Sequence, residues 1–200
     1  MNEVRFGGCD LSPGSCCPGH PVSVGYRKFS CVGHHRQMDR PTDTVTMKPW
    51  TDLTPEEVYA IARLRTEVFL REQQCDDEEL DGRDLEPTTE HWWTGVEGDS
   101  APTAPTTYLR VLRNEDAEII DGLPTAHLVI GRVVTDPEHR GRGLASRLLA
   151  AVIERHGNEP MMLHAQFHAR QLYVNVGFAP VGEIFDEAGI DHITMVRPAD

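Results

Sequence analysis

Arg140-Gly141-Arg142-Gly143-Leu144-Ala145 is the stretch that decides how this chain is read. It follows the apolar run Leu128-Val129-Ile130-Gly131-Arg132-Val133-Val134, and beyond Leu144 apolar residues return at Leu148, Ala151 and Val152. That return has helical spacing, so the stretch is a glycine-rich turn leading from a strand into a helix N-terminus. Such a turn presents free backbone N–H groups at the positive end of a helix dipole, which is a phosphate site. Gly143 has no Cβ to keep an anion away from the backbone, and Arg140 and Arg142 add positive charge. Taken alone, the same loop also reads as an ordinary strand-to-helix turn with solvated arginines. It is not a Walker loop, because no Gly-Lys-Ser/Thr ending is present. It is not a dinucleotide fingerprint either, since the third glycine and an upstream βαβ unit are missing.

A second feature lies downstream. Met161-Met162-Leu163-His164-Ala165 reads as a buried strand, and Gln166 to Val176 as a short helix carrying Leu172 and Tyr173 and ended by Gly177-Phe178. Tyr173 by itself reads as a core tyrosine. With Arg140-x-x-Gly143-x-Ala145, however, a tyrosine four residues before Gly-Phe resembles the pyrophosphate loop and second signature of the GCN5-related N-acetyltransferase (GNAT) family. Leu64 to Phe69, Arg71 to Cys75, Asp81 to Asp84, His91 and Gly182 to Met195 are similar to the ElaA-like branch of that family. The resemblance covers Trp50 to Met195. Asp77 departs from it, standing where this branch has an aromatic residue.

The resemblance implies an α/β (α+β) GNAT fold: a mixed central sheet flanked by helices. It implies that acetyl-CoA is the cosubstrate, held by Arg140, Gly141, Arg142, Gly143, Leu144 and Ala145. Backbone N–H groups near Val133 and Val134 would receive the thioester oxygen, and Tyr173 would face the departing sulfur. The acceptor would be an amine of a small molecule or peptide.

Composition limits the remaining choices. The chain has 200 residues, a formal charge of −13 and five cysteines, enough for one well-buried domain. Residues 1–46 hold five Lys/Arg and four Asp/Glu, which leaves a net charge of −14 on residues 47–200. Such a field repels nucleic acid and attracts a cationic amine. Cys75 alone lies beyond residue 46, so no disulfide is expected within the domain, in keeping with a reducing cytoplasm. No apolar run approaches a membrane span, and the N-terminus lacks a signal-peptide core.

Residues 1–46 lack periodicity and are rich in Gly, Pro, Ser and Thr, so a disordered tail is expected, or a leader preceding a true start at Met38 or Met47. Cys9, Cys16, Cys17, Cys31, His34 and His35 form no paired Cys-x-x-Cys repeat of a zinc site, and no metal is expected. The acetyltransferase domain is assigned to residues 47–200, a monomer or homodimer, with folding starting near Trp50. Thr54-Pro55-Glu56-Glu57 is a capping box opening a helix with an apolar face of Val58, Ile61, Leu64, Val68 and Phe69. Asp76 to Asp84 is expected to be a loop, and its Asp76–Glu79 run a solvated acidic segment facing the acceptor. Strands are expected near His91–Val96 and Thr107–Leu112, then at Ala117–Ile120 merging toward Leu128–Val134. A final pair is expected at Val181–Phe185 and His192–Val196.

Transfer to an amine needs a free base form, yet an alkylammonium has a pKa of about 10.4. The candidates to take its proton are Glu72 at the end of the first helix, and His91 and His192, whose type titrates near neutrality. Each has a plain alternative: a solvated helix-end charge for Glu72, a satisfied core group for either histidine. Arg65 reads as an ion-pair partner of the acidic loop. Cys75 sits beside Asp76, Asp77, Glu78 and Glu79, which raise a thiol pKa and disfavour a nucleophilic role. Two other functions share this pattern: a non-catalytic acyl-CoA sensor on the same scaffold, and an acyl-homoserine-lactone synthase.

Overall fold

Thr54 begins the first helix as its chemistry dictates. Its hydroxyl accepts from the Glu57 N–H at 3.2 Å, and the Glu57 carboxylate accepts from the Thr54 N–H at 2.9 Å. Pro55 takes the first helical position, where a missing N–H costs nothing. The computed structural model describes residues 43–96, 104–120 and 123–200. The proposed cysteine and histidine set of residues 9–35 lies outside the described residues.

Helix α1 (Pro55–Arg65) continues into a π-helical turn, Thr66–Glu72. Gln74, at a φ of 57°, ends it. Seven strands form one sheet in the order β1-β2-β3-β6-β7-β9-β8. They are β1 (Asp43–Pro49), β2 (Glu90–Val96), β3 (Pro105–Arg113), β6 (Leu128–Thr135), β7 (Met161–Gln166), β8 (Ala179–Glu187) and β9 (Ile190–Arg197). All neighbours are antiparallel except β6 and β7. Helix α2 (Leu144–His156) crosses over between those two, and α3 (Arg170–Val174) follows β7.

Period-two alternation sorts the strands onto two faces. Leu109, Val111, Leu128, Ile130, Met161, Leu163 and Met195 pack with Leu148, Leu149 and Val152 of α2. Trp93, Tyr108 and Val134 pack on the other face with Ile61, Leu64 and Val68. The mixed sheet flanked by helices is therefore the one the sequence implied. No helix among the described residues is long and apolar enough to cross a membrane.

Two local expectations are corrected. Among the described residues ordered structure is present from Asp43, ahead of Trp50: β1 pairs with β2 from Asp43↔Val96 to Pro49↔Glu90, so a boundary at Met47 cuts a strand. Val45 and Met47 pack on the core, but two apolar residues among threonines carry too weak a pattern to stand out. Ile119–Ile120 (β4) does not merge toward β6. It pairs with Leu123–Pro124 (β5) as a separate two-residue ladder, which Pro124 cannot extend because it has no N–H to donate.

Candidate active site

Strands β6 and β7 pair at Leu128↔Met161 and Val129↔Met162, and no further. Beyond that point they part. The cause is visible in β6, where Arg132 has a φ of 55°. The β3 register jumps from Arg110↔Gly131 to Tyr108↔Val134, so Arg132 and Val133 together oppose Leu109. A bulge of this kind bends its strand and releases backbone groups from the ladder. A cavity of about 650 Å³ occupies the region, and Arg140, Ala145, His164, Glu187 and His192 are among the residues that line it. Val133, Val134, Leu163 and Tyr173 line it as well.

The glycine loop has the geometry of an anion cradle. Gly141 and Gly143 take φ values of 72° and 75°, the left-handed region that favours glycine. Gly143 caps α2, and no atom lies within 4 Å of where its Cβ would be. The first turn of α2 starts at Leu144 and Ala145 and leaves its N–H groups unpaired within the helix. The two arginines are engaged elsewhere. Arg140 donates to both oxygens of Glu72 at 2.7 Å, and Arg142 lies 3.5 Å from the Asp43 carboxylate.

Tyr173 is buried on α3 between the core and the cavity. Its ring meets Phe178 edge-on at 6.4 Å, and burial pushes its phenol up to about 12. The hydroxyl therefore keeps its proton across the neutral range and is available as a donor.

The three candidate bases separate sharply. His91 is fully buried, with Nδ1 2.8 Å from the Tyr108 hydroxyl and Nε2 3.1 Å from the Asp84 carbonyl. Burial lowers its pKa. It does not line the cavity and both nitrogens are occupied, which is the arrangement of a satisfied core group. Glu72 lines the cavity, but its hydrogen bonds with Arg140 hold the carboxyl below its usual range, which makes it a weak base. His192 lines the cavity and its Nδ1 lies 2.8 Å from the Ile190 carbonyl. A carbonyl can only accept, so Nδ1 carries the hydrogen, and in the neutral ring Nε2 then bears the lone pair.

Asp76, Asp77 and Glu78 are exposed, as expected of a solvated run, but Glu79 is not. Glu79 and Asp84 are buried, and they turn inward onto arginines from three elements. Arg65 of α1 bonds Glu79 and, at 2.9 Å, Asp84. Arg110 of β3 holds Asp81 at 2.7 Å and Asp84 at 3.1 Å, and Arg132 of the bulge lies 2.8 Å from Glu79. Burial pushes the Asp81 carboxyl up, but the hydrogen bonds and charge of Arg110 outweigh it and bring the group to about 2. Arg65 is thus the ion-pair partner that its sequence position suggested. The Cys75 thiol is pushed up by burial and then by Asp77, Glu79 and Asp76, consistent with an unreactive cysteine.

Sequence reasoning missed several lining residues. Gln73 and Gln166 exchange an amide contact, with Gln166 donating at 2.9 Å across 93 positions of sequence. Arg132 looked like an interruption of an apolar run, which was the available signal for the bulge. Glu118, His164 and Glu187 converge from three segments, and no local motif marks them.

The family model described as an acetyltransferase (GNAT) domain matches residues 52–198. The chain belongs to the GNAT family, within the branch that includes the ElaA and UPF0039 proteins. A UPF0039 protein of Mycobacterium tuberculosis is 36% identical over 147 residues, covering 74% of this chain and 88% of the relative. ElaA of Escherichia coli is 33% identical over 151 residues, covering 74% and 91%. Its crystal structure superposes with a TM-score of 0.66 over 78% of this chain and 99% of ElaA. An acyl-CoA N-acyltransferase from Pseudomonas aeruginosa gives a TM-score of 0.65 at 35% identity, covering 78% and 99%. The scaffold is that of an acyltransferase.

Proposed function

We propose that this protein is an acetyl-CoA-dependent N-acetyltransferase acting on a cationic amine of a small molecule or peptide. The observation that carries the reading is the single cavity joining the Arg140–Ala145 loop, the parted strands, Tyr173 and His192. A bisubstrate reaction needs such continuity, because both reactants must meet without leaving the protein. Membership of the GNAT family and likeness to an acyl-CoA N-acyltransferase support the same choice.

In this reading the pyrophosphate lies against the first-turn N–H groups of α2, and the thioester enters the opening between β6 and β7. The acceptor ammonium gives a proton to His192 Nε2, directly or through water. Its nitrogen then attacks the thioester carbon, and the oxygen gains negative charge that backbone N–H groups at Val133 and Val134 stabilise. That attack forms the C–N bond; collapse of the tetrahedral intermediate restores the carbonyl and breaks the C–S bond, and the amide nitrogen gives up its second proton to water. The departing sulfur is met by the Tyr173 hydroxyl, which supplies a hydrogen bond or its proton.

Release of CoA thiol should be followed over a panel of amines, with CoA binding measured in parallel by calorimetry. Amine-dependent thiol release is the expected result. Tight CoA binding with no release across the panel would replace the enzyme reading with that of an acyl-CoA sensor.

A further inference from the structure

Arg132 holds a backbone conformation that favours glycine. A left-handed residue in a bulge is ordinarily glycine, yet Gly131, directly before it, does not take a positive φ. The chain thus carries an arginine at the position of β6 that strains an L-residue.

Packing accounts for the extra residue but not for its dihedral angles. Leu128 and Ile130 pack on the α2 face, as does Val133, whereas Val134 packs on the α1 face. In an unbroken strand residues 128, 130 and 134 would share one face. One inserted residue therefore puts both valines on their proper sides, and a slip would misplace them together. That count fixes where the bulge lies. It leaves the left-handed turn at Arg132 to be held by something else.

The Arg132 side chain holds it. Its Nε lies 2.8 Å from Glu79 Oε2, and a terminal nitrogen donates to the Glu78 carbonyl at 3.1 Å and lies 3.4 Å from Asp81 Oδ2. These acceptors are anchored by two other arginines. Arg65 of α1 donates to the Glu79 carbonyl at 2.7 Å, and Arg110 of β3 gives the Asp81 carboxylate two hydrogen bonds of 2.7 Å. The Glu79 side chain is buried, so water and salt screen its pairing with Arg132 only weakly.

We propose that Arg132 is a positioning residue for acyl transfer, its clasp on Glu78, Glu79 and Asp81 holding the bulge that parts β6 from β7 and presents the backbone of Val133 and Val134. The inference rests on the acetyl-transfer reading of this cavity. Arg132 acts through the backbone and takes no part in the bonds that form and break.

Three variants of the full chain separate the clasp from backbone strain. Arg132→Gly removes the guanidinium but accepts the left-handed backbone freely. Arg132→Met keeps an apolar stem without charge, and Arg132→Lys keeps a cation without the planar fork. In amine-dependent thiol release, kcat should fall about 10- to 100-fold in Arg132→Gly and Arg132→Met, less than the cost of deleting an oxyanion donor outright. CoA affinity by calorimetry should change less than about threefold in both, and Arg132→Lys should fall between them and the parent. ¹⁵N relaxation dispersion should show microsecond-to-millisecond exchange at residues 131–134 in the two charge-free variants and not in the parent. Melting curves identify a variant that fails to fold, and the folded ones, Arg132→Lys included, then carry the comparison. Parent-like kcat in a folded Arg132→Gly overturns the clasp. So does a loss of CoA affinity as large as the loss of kcat, or flat dispersion in both charge-free variants. Exchange at residues 131–134 in those variants, with no thiol release from any amine even in the parent, leaves the clasp standing and removes the acetyl-transfer reading instead.

Discussion

Arg140 and Glu72 form a two-pronged ion pair, each terminal guanidinium nitrogen donating to one carboxylate oxygen at 2.7 Å. The pair ties the loop before α2 to the end of the π-helical turn, elements 68 positions apart in sequence. It gives the arginine expected to meet a phosphate an internal anion instead, and it lowers the basicity of the carboxylate that stood as a candidate base. An incoming pyrophosphate must compete with Glu72 for that guanidinium.

Glu72→Gln is therefore expected to leave CoA affinity equal or raise it about two- to fivefold, as an exposed charge pair is worth at most about 1 kcal/mol. Turnover should fall less than about tenfold, because loss of a true general base costs at least about 10²-fold. Calorimetry and steady-state thiol release read the two effects. A hundredfold loss of turnover with unchanged CoA binding would restore Glu72 as the base.

Tyr173→Phe should lower turnover far more than it alters acetyl-CoA affinity. The ring that meets Phe178 is retained, and the hydroxyl is lost. Loss of a general acid costs about 10²–10⁴-fold, against roughly 0.5–1.5 kcal/mol for one neutral hydrogen bond. A turnover loss below about threefold in a folded variant would make Tyr173 a packing residue and assign the donor to water.

Gly143→Val should weaken CoA binding about tenfold or more, because the side chain would project into the open approach to the helix N-terminus. Its left-handed backbone adds strain of about 1–2 kcal/mol for any L-residue. Gly143→Ala carries most of the strain and less of the bulk. Melting temperatures of the two variants isolate the strain, and calorimetric titration with CoA isolates the obstruction. Unchanged affinity in Gly143→Val would move the pyrophosphate elsewhere.

The Asp81 carboxyl contributes to the acid limb of stability, beside other carboxyls held below their usual range such as Asp84 and Glu90. Its folded pKa of about 2 lies below the unfolded value of about 3.9. Its contribution is thus fully present above the unfolded value and is lost as pH falls through the folded one. Urea midpoints should decline between about pH 5 and pH 2, with a shallower decline in Asp81→Asn. Arg110→Met should cost about 3–5 kcal/mol at neutral pH, since it leaves Asp81 and part of the Asp84 charge without a partner.

Much of the scaffold was legible because its signals are local. The capping box at Thr54 to Glu57 needs residues three apart, and the structure forms both of its hydrogen bonds. The glycines of the loop mark positions where the backbone itself requires them, which neighbouring residues cannot disguise. Strand β1 escaped notice because a short edge strand is stabilised by pairing with β2, not by its own apolar pattern. The inward turn of Glu79 escaped for a related reason. A carboxylate reads as solvated in sequence, and its arginine partners come from α1 and the β6 bulge.

The sequence by itself determined the family, the glycine loop with its following helix, and the placing of Tyr173 before Gly177 and Phe178. Each is written within a dozen residues and depends on backbone preference or short-range spacing. Tertiary structure decided what each charged group does. It buried His91 against Tyr108, gave Arg140 to Glu72, and set Glu118 and Glu187 on either side of His164. Those outcomes follow from sheet register and the parting of β6 from β7, which set distances between residues far apart in the chain. Electrostatic partnership depends on such distances and on the loss of water around each group.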